Sequence, residues 1–229
     1  MKPNTLSSRR YIFTGLLGLA LAAAASAQTV AAPPAEASSA GAAPPPANAS
    51  FGLLGQDYVG IDAGYVRFEQ HPRPLVRHDY GFVDNHNLTS NLDFNFNYDY
   101  LTGSNLGVHD FRNTVTAGLT GYAPVTGWIR PFVSAAAGWE WERSSQNAPG
   151  GIRDSRFTDV WGAGVEFQAL PRLAISPFVS YQDIHRLEHD WDYGIKATYR
   201  LSERWSVSLI PQIDAHRNLD YLAGINLHY

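Results

Sequence analysis

Three observations predict the fold class. Apolar and polar residues alternate along ten segments, the connections between them switch from short to long, and the chain opens on an export signal. Together they predict an all-β chain, an antiparallel up-and-down transmembrane β-barrel of ten strands, with eight strands as the alternative. Successive side chains of a strand point to opposite faces, so a period of two gives one apolar and one polar face. After Gln56 no stretch sustains the 3.6-residue period of a helix.

Composition narrows the function classes. The chain has 229 residues, 45% hydrophobic and 13% aromatic, with one Met and no Cys. That suits one compact domain once its targeting sequence is removed. Without Cys there is no disulfide framework, thiol nucleophile or thiolate metal site, and no residue to carry the lipid anchor of a lipoprotein. Formal net charge is −4, and loss of Lys2, Arg9 and Arg10 with the leader makes the exported chain more acidic still. A nucleic-acid partner is not expected, because binding one requires a basic surface that displaces counterions.

Residues 1–27 combine a basic start, an apolar run from Tyr11 to Ala25 and the small triplet Ala25, Ser26, Ala27. This is the pattern of a secretory signal peptide, with cleavage expected between Ala27 and Gln28. The apolar run is shorter than the ~20 residues a transmembrane helix needs. Ser8, Arg9 and Arg10 match a twin-arginine signal in part, but a barrel must travel unfolded, which favours the general secretory route. Residues 28–50 are almost all Ala, Pro, Ser, Gly and Thr, with Glu36 the single charge. Such a stretch buries too little apolar surface to offset its ordering entropy and is expected to be a disordered linker. The barrel is assigned to residues 51–229.

The strands follow in order. Segment 57–68 alternates, and segment 76–86 is the weakest, alternating only around Tyr80 and Phe82. In 92–100, Leu92, Phe94, Phe96, Tyr98 and Tyr100 oppose Asp93, Asn95, Asn97 and Asp99. Segment 111–122 fits less sharply. In 128–143, Ile129, Val133, Ala135, Ala137, Trp139 and Trp141 oppose Arg130, Ser134, Glu140 and Glu142. Segments 155–168 and 172–184 continue the pattern, with Asp159 misplaced on an apolar face, which calls for a bulge or a position above the bilayer. Segment 191–201 sets Trp191, Tyr193, Ile195, Ala197, Tyr199 and Leu201 against Asp192, Lys196, Thr198 and Arg200. Segments 204–215 and 221–229 complete the set.

Tight turns are expected around Thr89 to Asn91, Pro124 to Gly127, Leu170 to Arg172 and Ser202 to Arg204. Longer polar loops are expected at about 69–75, 101–110, 144–154, 185–190 and 216–220. Four turns on the side of the termini separate five hairpins, hence ten strands. Pro131, Pro177 and Pro211 cannot donate to a ladder, which places them at the rim on the side of the termini, with bulges as the means of accommodating them. The polar faces carry Asp62, Asp93, Asp99, Arg112, Arg130, Glu140, Arg156, Glu166, Lys196, Arg200 and Asp214, charges that are expensive in a dry core unless paired.

The last stretch, YLAGINLHY, places Tyr221, Ala223, Ile225, Leu227 and Tyr229 on one face and ends on an aromatic residue. Here the sequence resembles bacterial outer-membrane β-barrel proteins, small barrels of the OmpA, OmpX and PagP kind, whose closing strand carries the insertion signal and usually ends on Phe. The resemblance covers about residues 56–229 and rests on architecture and the terminal strand. It implies a place in the outer membrane of a Gram-negative cell with both termini periplasmic, surrounded by lipid and lipopolysaccharide and inserted by the barrel-assembly machinery. Aromatic residues near the strand ends read as interfacial girdles.

No catalytic motif is found and no cofactor is expected. The leading functional reading is a structural or loop-mediated interaction role, with the lumen filled by polar side chains and the extracellular partner left open. A narrow, porin-like pore for small solutes is one alternative. An enzyme acting at the extracellular rim is the other, resting on a polar cluster of His185, Glu188, His189, Asp214 and His216, where imidazoles beside carboxylates suit a general base or a metal site.

Overall fold

A computed structural model describes residues 52–68, 75–105, 108–145, 152–185 and 188–229. The expected signal peptide, its cleavage point and the expected linker lie outside these residues. Ten strands follow one another: β1 Tyr58–Phe68, β2 Leu75–Thr89, β3 Leu92–Asn105, β4 Val108–Tyr122, β5 Ile129–Ser145, β6 Ile152–Leu170, β7 Leu173–Ile184, β8 Glu188–Arg200, β9 Trp205–Asp214 and β10 Leu219–His228. Each pairs antiparallel with its neighbours in sequence, and β10 pairs with β1 from Tyr58↔His228 to Arg67↔Leu219, closing the barrel. Closure satisfies every edge, which a hydrocarbon surrounding demands because it offers no hydrogen bonds. The alternative of eight strands is set aside by the first hairpin. The weakly alternating segment 76–86 forms a full strand with an unbroken ladder to β1 from Tyr58↔Asn85 to Phe68↔Leu75.

The faces are inverted relative to a water-soluble barrel. Ile61 is 60% exposed and Tyr193 51%, and Tyr80, Leu119, Ile195, Leu209 and Ile225 also point outward and lie open. Asp62, Asp79, Asn95, Asp99, Thr116 and Lys196 line the interior. Exposing that much contiguous apolar surface to water is unfavourable, and a bilayer removes the penalty. This is the architecture of a transmembrane β-barrel. Exposed aromatics gather at both ends, Tyr199, Trp205 and Tyr229 near the termini and Tyr98, Trp139, Trp141, Trp191 and Tyr193 toward the other end, as interfacial girdles do.

Two local expectations are revised and a third, at Asp159, is narrowed to one of its alternatives. Much of the predicted loops at 101–110 and 144–154 is strand, since β3 and β4 pair out to Asn105↔Val108 and β5 and β6 out to Ser144↔Ile152. β6 spans 19 residues, beyond the ~9–11 needed to cross the hydrocarbon, and its ladder to β7 begins only at Thr158↔Ile184. Polar residues on both faces end the membrane pattern there without ending backbone pairing. Pro131 is third in β5, at the rim, but Pro177 and Pro211 lie inside β7 and β9. The β6–β7 ladder lacks pairs between Gly164↔Phe178 and Phe167↔Ile175, and the β8–β9 ladder between Gly194↔Gln212 and Ala197↔Leu209. The missing proline N–H is accommodated by these interruptions instead of by the rim. Asp159 keeps its outward register without a bulge, pairs with Asp183 near the end of β7 and accepts a 2.7 Å hydrogen bond from Trp161 Nε1.

Candidate functional site: an acidic chamber closed at one end

All ten strands contribute to one interior cavity of about 560 Å³. Its floor, at the end where both strand termini lie, is made by residues just before β1. Leu53 is 6% exposed, and Leu53 and Leu54 both line the cavity. The sequence permits this path because of two glycines. A Cβ on Gly52 would collide with the Glu166 carboxylate, and Gly55 adopts φ +73° with its would-be Cβ 2.7 Å from Tyr122 Oη.

Charges on the barrel wall hold this backbone. Leu53 N donates to Glu166 Oε2 at 3.0 Å, and Glu166 Oε1 takes a 2.6 Å bond from Arg130 Nη2. Arg130 Nη1 donates to the Leu54 carbonyl at 2.8 Å, so one ion pair grips both sides of the segment. Gly55 N donates to Asp93 Oδ2 at 2.8 Å, and Arg200 Nη2 donates to Gln56 Oε1 at 2.9 Å. Asn85 Nδ2 donates to the Gln56 carbonyl at 2.7 Å. Asp93 is 1% exposed and takes a second bond from Asn87 Nδ2 at 2.9 Å. Hydrogen bonds to charged groups contribute ~1.5–3 kcal/mol each, more than neutral ones. Asp93, Arg130, Glu166 and Arg200 appear in the sequence as inward charges. Their shared task was not legible, because their partner is a backbone stretch with no alternating pattern of its own.

Above the floor the wall is rich in carboxylates. Arg112 reaches Glu140 at 3.6 Å and Arg77 reaches Asp110 at 3.3 Å, and Arg156 pairs with Asp154. Arg112 and Glu140 bridge the neighbouring strands β4 and β5, Arg77 spans from β2 past β3 to Asp110 of β4, and Arg156 and Asp154 share β6, and these pairs leave the cavity open between them. The polar side chains thus crowd the floor and coat the wall.

The predicted rim cluster is divided. Asp214 and His216 come together with Asp190, and one donor atom of each lies within 4.8 Å of the others. His216 Nδ1 is 2.9 Å from Asp190 Oδ2, while Asp214 accepts from Asn218 N at 2.8 Å and Asn218 Nδ2 at 2.6 Å. One imidazole and two carboxylates suit a borderline divalent metal. Here they staple the β9–β10 connection to β8. His189 instead occupies the outward register of β8 opposite Asp183, its ring 6.3 Å from Tyr181. His185 lies in the β7–β8 turn, its N–H bonded to Phe157 O at 3.0 Å. Glu188 is the first residue of β8. The sequence pattern contained no signal that would separate these residues, since a strand start between His185 and His189 decides which way each points.

Tyr221, Ala223, Ile225 and Leu227 share the outward face of β10 from the loop end downward, and Tyr229 follows it at the rim of the termini. Tyr229 Oη donates to Asp84 Oδ1 at 3.1 Å. Desolvation and that bond raise the phenol above its ordinary pKa.

No family model and no curated protein matches the sequence. Among solved structures, Neisserial surface protein A is 10% identical, covering 75% of this chain and 96% of its own, with a TM-score of 0.44. The translocator domain of the autotransporter NalP from Neisseria meningitidis is 6% identical, covering 95% of each chain, with a TM-score of 0.46. The NanC porin is 8% identical, covering 74% of this chain and 98% of its own, with a TM-score of 0.45. At these identities the likeness transfers no role to this chain.

Proposed function

We propose that the protein is an integral outer-membrane barrel with a structural or loop-mediated interaction role, its termini on the periplasmic side and its lumen closed to through-flow. The observation that carries this reading is the floor, where residues 53–56 lie at the end of the lumen, Leu53 and Leu54 held by Glu166 and Arg130, Gly55 by Asp93 and Gln56 by Arg200. A solute path would have to displace four charge-assisted hydrogen bonds. The function then falls to the surfaces that remain accessible, the loop end and the chamber behind it. The enzyme alternative is weakened at the rim cluster, where His216 is bonded to Asp190 and Asp214 to Asn218.

The narrow-pore reading has one observation in its favour, the 560 Å³ cavity. Planar-bilayer recording separates the two. The exported chain is expected to show no single-channel steps above background, and steps from the intact protein would overturn the closed-lumen reading.

A further inference from the structure

We propose that the chamber binds a linear organic polycation, of the class of the aliphatic polyamines, along the wall formed by β10, β1, β2 and β3. Asp62, Asp79 and Asp99 line the cavity on this wall. Asp62 stands opposite Gly81, and Gly81 opposite Asp99. The glycine leaves the space between the two carboxylates unfilled, and Asp62 Oδ1 leans over it, 2.3 Å from where a Cβ would stand. One step further along the barrel, Asp79 stands opposite Gly64 and Asp220 opposite Val66. Four acids therefore hold inward register along one side of the barrel, Asp62, Asp79 and Asp99 lining the chamber and Asp220 bonded to the lining Gln212.

The native structure leaves part of that charge unanswered. Asp220 is 7% exposed. Its Oδ2 accepts a 2.7 Å bond from Gln212, a lining residue, while its Oδ1 and the buried Oδ1 of Asp79 have no hydrogen-bond partner. A buried carboxylate is costly unless paired. The neighbouring arginines face other acids, Arg77 to Asp110 and Arg112 to Glu140. Lys196 of β8, three strands from β1, lines the same chamber and is an electrostatic partner of Asp62, which leaves Asp79, Asp99 and Asp220.

The distribution of the acids selects the ligand. Among the described residues, the group whose donors converge within 4.8 Å is Asp190, Asp214 and His216 at the rim. The lumen acids do not converge, so a single metal ion would satisfy few of them. A chain with ammonium groups spaced along it would reach several. Val83, Leu101 and Leu222 also line the chamber and offer apolar surface to the intervening methylenes. The volume is within the ~300–1,000 Å³ of small-molecule sites. With the floor closed, entry is from the loop end.

The test is isothermal titration of the purified exported chain in detergent with spermidine, and with Mg²⁺ at equal ionic strength. Spermidine is expected to bind saturably, more tightly than Mg²⁺, and to lose affinity at least about tenfold in the Asp79→Asn/Asp220→Asn double variant. Asp62→Asn/Asp99→Asn serves as a second pair if the first does not fold, judged by heat-modifiable gel mobility. Asp190→Asn at the rim is expected to bind as the wild type does. No saturable binding of spermidine, equal binding of Mg²⁺, or unchanged affinity in a folded double variant would each overturn the proposal.

Discussion

Gly55 occupies the left-handed region at φ +73°, against Tyr122 and beside Asp93, to which its N–H is bonded. Any other residue there pays backbone strain of about 1–3 kcal/mol before its side chain is placed. Gly55→Ala is expected to lower stability by at least that range in guanidinium unfolding followed by tryptophan fluorescence, while Gly127→Ala, whose Cβ would meet nothing within 4 Å, stays near wild type. Glu166 matters differently. It carries an ion pair and a backbone bond at once, so its loss leaves both Arg130 and the Leu53 N–H short of a partner.

At the scale of the strand, the outward faces obey a depth rule. Leu209 lies near the middle of β9, opposite Ala197 and Ala223, and is 53% exposed toward the surroundings. Leu209→Arg is expected to destabilise the barrel by about 2–4 kcal/mol, whereas His189→Arg at the loop end changes it by no more than about 1 kcal/mol. Unfolding from lipid vesicles measures both, and equal effects would remove the membrane as the solvent of this face. Asp159 obeys the same rule, since its outward carboxylate is found near the end of β7 with an indole N–H for a partner.

At the scale of the whole molecule, the floor joins strands distant in sequence. Residues 53–56 contact β2, β3, β5, β6 and β8 through Asn85, Asp93, Arg130, Glu166 and Arg200. The chain has no native Cys, so Leu53→Cys reports on this segment alone. In the otherwise native barrel it is expected to resist a maleimide reagent. Adding Glu166→Ala, which removes one partner of a buried pair worth ~3–5 kcal/mol when broken, is expected to speed labelling at least tenfold. Equal rates would mean that the ion pair does not hold the floor.

The sequence by itself determined the barrel. Leu92 to Tyr100 and Trp191 to Leu201 alternate because each strand has a lipid face and a lumen face, a local rule written residue by residue. It also favoured ten strands over eight, through four turns between five hairpins, with the β1–β2 ladder deciding between them, and it marked many of the charges that face inward. Strand ends at Asn105 and Val108 escaped it, because beyond the bilayer neither face must be apolar and the period vanishes while the ladder continues. Pro177 and Pro211 escaped it because the cost of a missing N–H depends on whether the facing strand can open its ladder. Only the tertiary structure decided that Glu166 meets Leu53 across 113 positions, that His189 turns away from Asp214, and that Asp79 and Asp220 stand on either side of β1, opposite Gly64 and Val66. Those relations follow from closure of the sheet, which sets strand against strand in space, and no local pattern encodes where a closed sheet brings its far ends together.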